Sequence, residues 1–540
     1  MRRFRGITLL LALTTVLGAQ LAAPAHAQSD APCGVVDSVG FPFDNVSQGG
    51  YYVRYPFGYH REGWGFHTGE DWFNSQTRGY GEPVRAIADG LVTYSSVYGW
   101  GVDKGVVIIE HTLHDGSVIY SVYGHMEAIN GHRFPPERTC VERGDVVGAI
   151  GDPRGRPHLH FEIRHKWQAF PGFGYTPGPP DLEGFENPTA YIINWQAWLN
   201  PAYKWHTVTR EPMTAHPALA PDGMVYVATE GFIQNYGPDS VLQYRFPLGT
   251  GEVVSQMSAD PIGVTAYMTE GQLRRYQHNL ENTEYRELGG NYETFLDAGP
   301  LLFLHANGGT LRVFDRSLVQ RGQFQDVGRP QNHAATGQLV ALTTGQRTPE
   351  VLFFSPQGEL LQRASLRSVA DVAPAADGGV LVRSTHALWH VSPGVEWTFL
   401  TEDFEVAPNL STLAADGWGS VYLYAGKDDR QLVSLSADGQ IRWQTSLGDT
   451  ISTRPIIAVG GGCAVYLGSS EGQLAAINAA TGELGETLQI YPGDAPGQEA
   501  WIDVSDDETV YFAVGGTQVI ALDGRRLIGL PPGTPCVNPF

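Results

Sequence analysis

A chain of 540 residues is longer than one hydrophobic core usually organises, so two or more domains are expected. Hydrophobic residues at 42% and charged residues at 17% fit a folded protein, and 66 Gly with 35 Pro favour turn-rich β architecture over helical bundles. A formal net charge of −22 argues against nucleic acid as a partner, because that binding depends mainly on neutralising phosphates with a basic surface.

The chain opens with Arg2, Arg3 and Arg5, an apolar run from Ile7 to about Ala19, and the small-x-small triplet Ala25-His26-Ala27. This layout predicts an export signal peptide over residues 1–27, cut after Ala27. The run falls short of the ~20 residues that a spanning helix needs, and no later segment is apolar enough, so no membrane span is expected. The expected location is secreted or periplasmic, within the cell envelope. Cys33, Cys140, Cys463 and Cys536 form no CxxC pair, which argues against a thiolate metal site or a redox motif. A two-domain division pairs Cys33 with Cys140 and Cys463 with Cys536, each bridge inside one domain.

From Gly34 to Leu199, short β-type runs alternate with glycine turns: 85–94, 105–110, 117–123 and 158–164. Residues 166–186 are crowded with Pro, Gly and aromatics and read as an ordered surface loop or connector. A strand-rich first domain over 28–203 follows, with this connector included.

Beyond about Lys204 a weak repeat sets in. One unit contains Leu413-Ala414-Ala415-Asp416-Gly417, Val421-Tyr422-Leu423-Tyr424 and Leu432-Val433-Ser434-Leu435. The next echoes it with Ala464-Val465-Tyr466-Leu467-Gly468, Ala476-Ile477-Asn478 and Ala480-Thr481-Gly482-Glu483-Leu484. Similar segments begin near Ala218, Val264, Pro300, Ala335, Val372 and Ile502. About eight units at ~40-residue spacing predict a β-propeller of seven or eight blades over 204–540. The last two units resemble pyrroloquinoline-quinone-like (PQQ-like) propeller repeats, which implies a scaffold for a protein or glycan ligand; nothing in the residues supports a bound quinone.

Three fragments carry chemistry: Phe66-His67-Thr68-Gly69-Glu70-Asp71-Trp72, Tyr123-Gly124-His125-Met126, and Pro157-His158-Leu159-His160-Phe161-Glu162-Ile163. A hydrolytic zinc ion needs about three His or carboxylate ligands and an open position for water. His67, Asp71 and His160 supply that set. His158 and His160, two apart on a strand, project from one face, so the second imidazole is placed to move protons. His125, arriving from another strand, is placed to stabilise charge on a tetrahedral intermediate.

These fragments resemble the M23 peptidase family, the lysostaphin-like zinc metallopeptidases, from about Gly58 to Tyr191. The resemblance implies one zinc ion per catalytic domain, held by His67, Asp71 and His160, with His158 and His125 catalytic. Gly81-Glu82-Pro83-Val84 with Ala88-Asp89-Gly90, and Arg143-Gly144-Asp145 with Ile150-Gly151, are similar to further family segments. Gly151 to Pro157 departs from the pattern, being shorter, basic and proline-rich, and it bears on specificity rather than on the metal ligands.

Bland readings cover the rest. His60, His111, His114, His132 and His165, taken singly, are expected to be surface or packed residues. Tyr123, Trp64 and Trp72 read as core or cleft-wall aromatics, and Asp416 and Asp438 as turn residues. The leading functional expectation is a secreted zinc endopeptidase acting on peptidoglycan cross-links or stems. The alternatives are a non-catalytic wall- or protein-binding module, a secreted peptidase for glycine-rich proteins and, most weakly, a quinone-dependent dehydrogenase.

Overall fold

The computed structural model describes residues 33–536 apart from 45–48, 169–170, 210, 289–291, 346–348, 367, 369–370, 385–386, 403–412, 426–429, 449, 452–454, 491–499 and 515. The expected signal at 1–27 lies outside the described residues. The protein is mainly β and divides into two compact units, one ending at Glu186 and the next beginning at Asn187.

The first unit contains β1 (Tyr51–Tyr55), β2 (His60–Arg61), β3 (Gly65–His67), β4 (Glu70–Asn74), β5 (Pro83–Arg85), β6 (Gly90–Ser96) and β7 (Gly105–Thr112). It continues with β8 (Val118–Glu127), β9 (Cys140–Val141), β10 (Val146–Ile150), β11 (Leu159–Arg164), β12 (Tyr175–Thr176) and β13 (Phe185–Glu186). The main sheet runs β1-β4-β11-β8-β7-β6-β9, with β10 bridging β5 and β8 and with β13 on β11. A small second sheet has the order β12-β3-β2.

The runs expected at 105–110, 117–123 and 158–164 form β7, β8 and β11, and all six residues of β11 are buried. The run expected at 85–94 splits instead. Ala86, Ile87 and Ala88 are all buried, so this stretch does not alternate as a half-buried strand would. Ala86 N–H donates to Asp145 O, Ala86 O accepts from Gly144 N–H, and the Asp89 carboxylate accepts from Arg143 N–H. Those bonds draw residues 86–89 out of strand pairing, so β5 pairs with β10 while β6 pairs with β7 and β9. Residues 166–186 are more than a connector: they supply β12, which pairs with β3, and β13.

His111 is buried between the Asp89 carbonyl and the Ser121 hydroxyl. Tyr123 is also buried, its hydroxyl accepting from Ile87 N–H. Both are core groups. Trp72 packs against Phe41 and Phe43, and Cys33 is bridged to Cys140.

The second unit starts with α1 (Pro188–Trp198), where the Asn187 side chain caps the helix by accepting from Ala190 N–H and Pro188 occupies the first turn. Eight four-stranded antiparallel sheets follow among the described residues, which sets the propeller at eight blades. Within a blade the second strand is buried, as in Val225–Ala228, and the fourth is largely exposed, as in Leu242–Pro247. The strand β14 (Tyr203–Val208) pairs with Gln518–Asp523, so both ends of the unit share one blade. Cys463 is bridged to Cys536. Asp416 accepts from the N–H groups of Trp418 and Ser420, the turn role expected of it. No helix among the described residues is long and apolar enough to cross a membrane.

Candidate metal and catalytic site

Three distant fragments meet because β11 runs between β4 and β8. His160 stands opposite Asp71 on one side and Gly124 on the other. Directly opposed residues of paired strands face the same side, so Asp71 and His160 share a face. A Cβ on Gly69 would lie 2.3 Å from the Phe161 carbonyl oxygen, so only glycine lets the chain entering β4 come this close to β11. His67 ends β3 and faces Tyr175 of β12.

His125 reaches the cleft by another device. Tyr123 pairs with Val107 and Met126 with Gly105, so Gly124 and His125 together oppose Val106, which is a β-bulge. His125 adopts φ +61°, and its ring comes within 4.5 Å of the His158 ring, centre to centre. Without the bulge, strict alternation would send it to the opposite face from Gly124. The Trp100 ring lies over Gly124, where a Cβ would be 2.1 Å from it. Its centre is 4.9 Å from the His125 ring and 5.3 Å from the His160 ring.

Three donor atoms converge. His67 Nε2 is 2.9 Å from His160 Nδ1, His160 Nδ1 is 2.9 Å from Asp71 Oδ1, and His67 Nε2 is 3.2 Å from Asp71 Oδ1. Zinc–nitrogen and zinc–oxygen bonds of about 2.0–2.1 Å place the corners of a tetrahedron roughly 3.3 Å apart, close to this triangle. The remaining ring nitrogens are committed elsewhere: His67 Nδ1 lies 3.2 Å from Pro56 O, and His160 Nε2 lies 2.9 Å from Glu162 Oε1. With those nitrogens donating, two imidazole lone pairs and a carboxylate oxygen face one point. Such a point calls for positive charge.

The electrostatics agree. Burial disfavours an imidazolium at His160, yet the hydrogen bonds to Asp71 and Glu162 prevail and raise its pKa to about 9. Burial would likewise raise Asp71, but His160 and His67 hold it well below the usual carboxylate range.

The other two histidines are arranged differently. His158 Nδ1 lies 2.7 Å from Arg156 O, its ring stacks on Phe73, and its Nε2 is 3.7 Å from Asp71 Oδ2. His125 Nδ1 lies 2.7 Å from Asp103 O. Burial lowers the pKa of His158, and burial with the neighbouring His158 and His160 lowers that of His125 to about 3. Each is a neutral ring whose Nδ1–H is taken by a carbonyl, leaving Nε2 as a proton acceptor.

All five residues line one cleft of about 660 Å³, with Tyr55, Trp64, Phe73, Trp100 and Tyr175 among its walls. Sequence reasoning gave no role to Glu162, although the period-two rule that paired His158 with His160 also puts Glu162 on that face. Trp100, Phe73 and Tyr175 carried no local signal, because only the tertiary fold brings them to the histidines.

Residues 65–171 match the model of Peptidase family M23. The span contains all five site residues, so the M23 peptidase match falls on this cleft in the first unit. No curated protein sequence matches the chain. Among solved structures, BamB from Moraxella catarrhalis is similar at 13% identity and a TM-score of 0.44, covering 59% of this chain and 99% of that one. The computationally designed Ika8 protein is similar at 13% identity and a TM-score of 0.44, covering 58% and 97%. Kluyvelomyces marxianus Hsv2 is similar at 7% identity and a TM-score of 0.39, covering 52% and 99%.

Proposed function

We propose that this protein is an exported zinc-dependent endopeptidase that hydrolyses peptide bonds in peptidoglycan cross-links or stems, with a propeller of PQQ-like repeats docking a protein or glycan. The observation that carries the reading is the convergence of His67 Nε2, Asp71 Oδ1 and His160 Nδ1 beside two neutral histidines in one cleft. The M23 match, and two disulfides of the sort that persist in oxidising compartments, support it. In this reading secretion or a periplasmic location follows from the expected signal at 1–27.

His67, Asp71 and His160 would hold the zinc ion. Bound there, zinc supplies a Lewis acid for the scissile carbonyl and lowers the pKa of water to about 7. His158, with its Nε2 lone pair toward the cleft, accepts the proton of the attacking water. The facing His125 ring shares that single proton, since two adjacent imidazoliums repel, and the pair delivers it to the departing amine. The cation so formed also lies beside the charge that develops on the carbonyl oxygen. The Phe73 ring stacked on His158 and the Trp100 ring set edge-on to His125 hold both rings in place.

The test is digestion of a panel of purified peptidoglycans by the zinc-loaded protein, with the fragments read by mass spectrometry and His158→Ala as control. New amine and carboxyl ends that vanish in the control and on chelation are expected. Unchanged sacculi across the panel, with the metal bound, would replace this reading by the non-catalytic binding module.

A further inference from the structure

We infer that the cleft is built for a peptide carrying free carboxylates on both sides of the bond to be cut, which narrows the substrate class and rests on the peptidase reading above. The cleft wall holds three arginines, Arg61, Arg154 and Arg156, and two carboxylates, Asp71 and Asp103. Asp71 belongs to the donor triangle. Asp103 is gripped twice by Arg154, at 2.7 and 2.6 Å. That leaves Arg61 and Arg156 as exposed cations, neither within ion-pair distance of a carboxylate among the described residues.

The two lie at different places along the cleft. The Arg61 guanidinium sits 4.9 Å above the Trp64 ring and hydrogen-bonds to the Tyr175 hydroxyl, and the Tyr175 ring is 5.2 Å from that of His67. Arg61 therefore marks the His67 side of the cleft. Arg156 marks the side of the histidine pair, because its own carbonyl is the acceptor for His158 Nδ1. The backbone around it is tied down: Pro153 and Pro157 flank it, and Arg154, at φ +54°, is fixed to Asp103, whose carbonyl holds His125. The short basic segment 151–157 thus places Arg156 on the cleft wall beside His158.

A guanidinium presents a planar fork of donors that matches a carboxylate. In a chain of net charge −22, acidic ligands are repelled at long range, so two unpaired cations at the cleft are not part of a general basic surface. An oligoglycine segment would give them nothing to bind. A stem peptide with free side-chain or α-carboxylates would engage one on each side.

The experiment compares initial cleavage by the full-length zinc-loaded protein of native sacculi, of the same sacculi with carboxylates converted to amides by carbodiimide and ammonia, and of pentaglycine acetylated at its N-terminus and amidated at its C-terminus. Native sacculi should be cut about fivefold faster or more than amidated ones at low salt, the effect of one exposed ion pair, with the gap closing at high salt. Arg61→Gln and Arg156→Gln should each slow the native reaction while leaving the amidated one unchanged; unaltered zinc content and circular dichroism would show intact folds. Equal rates on native and amidated sacculi, a preference for pentaglycine, or variants that slow both sacculi alike would overturn the inference and leave the peptidase standing. Failure to cut any of the three would remove the peptidase reading and this one with it.

Discussion

His160 and Glu162 stand two residues apart on β11, with His160 Nε2 only 2.9 Å from Glu162 Oε1 and both side chains buried. The bond fixes which nitrogen of His160 carries the proton and turns the other toward His67 and Asp71. Thr68 Oγ1 donates to the same carboxylate oxygen, and Arg164 Nη1 lies 3.8 Å from the second one. Glu162 is therefore a positioning residue for the proposed metal-binding face. Partners of this kind typically change metal affinity by about 10–100-fold when replaced. Glu162→Gln should weaken zinc binding by about that factor in a chelator competition, with the fold intact; an unchanged affinity would reduce Glu162 to a packing role. Glu162→Ala should also destabilise the domain, since it leaves the buried Arg164 without its counter-charge.

On the proposed metal site, zinc would displace a proton from His160. That proton is held with a pKa of about 9 because the hydrogen bonds to Asp71 and Glu162 outweigh burial. The sign follows: below pH 9 each unit of acidification should lower apparent zinc affinity by about tenfold, and above it that dependence should disappear. Zinc titrations at fixed ionic strength across this range test it. A flat profile below pH 9 would place the displaced proton elsewhere.

Replacing the histidine pair should separate chemistry from metal binding. His158→Ala and His125→Ala should each retain stoichiometric zinc while kcat falls by about 10²–10⁴, the range for a lost general acid–base. Because burial holds His158 below the ordinary histidine value of 6.5, the acid limb of kcat/KM for the parent protein should fall below pH 6.5. Loss of zinc in either variant would move that residue into the ligand set.

Gly124→Ala tests the bulge. The added methyl would meet the Trp100 ring at 2.1 Å, so the indole must leave its place over the site. Overpacking of this kind costs about 1–3 kcal/mol. A lower melting temperature together with reduced kcat is expected; a variant with parental stability and activity would show that Trp100 does not hold the histidines.

Much was legible in the chain itself, and for simple reasons. His67, Asp71, His158 and His160 sit in short local motifs, and the period-two geometry of a strand brings the last two to one face. The propeller was legible because the same strand-and-turn pattern recurs, although only the sheets decided between seven and eight blades. The split of the expected strand at 85–94 was not legible, since its three consecutive buried residues read the same in a strand as in a packed bend. The same limit applies to the cleft. Residue types and spacing determined which atoms were able to bind a metal, because ligand chemistry is a property of side chains and short-range geometry. Tertiary structure alone decided the β-bulge that turns His125 inward, the ring of Trp100 over Gly124, the Glu162 bond that orients His160 and the arginines left unpaired at the lip. Each of those depends on a backbone approach between segments tens of residues apart, which no local pattern encodes.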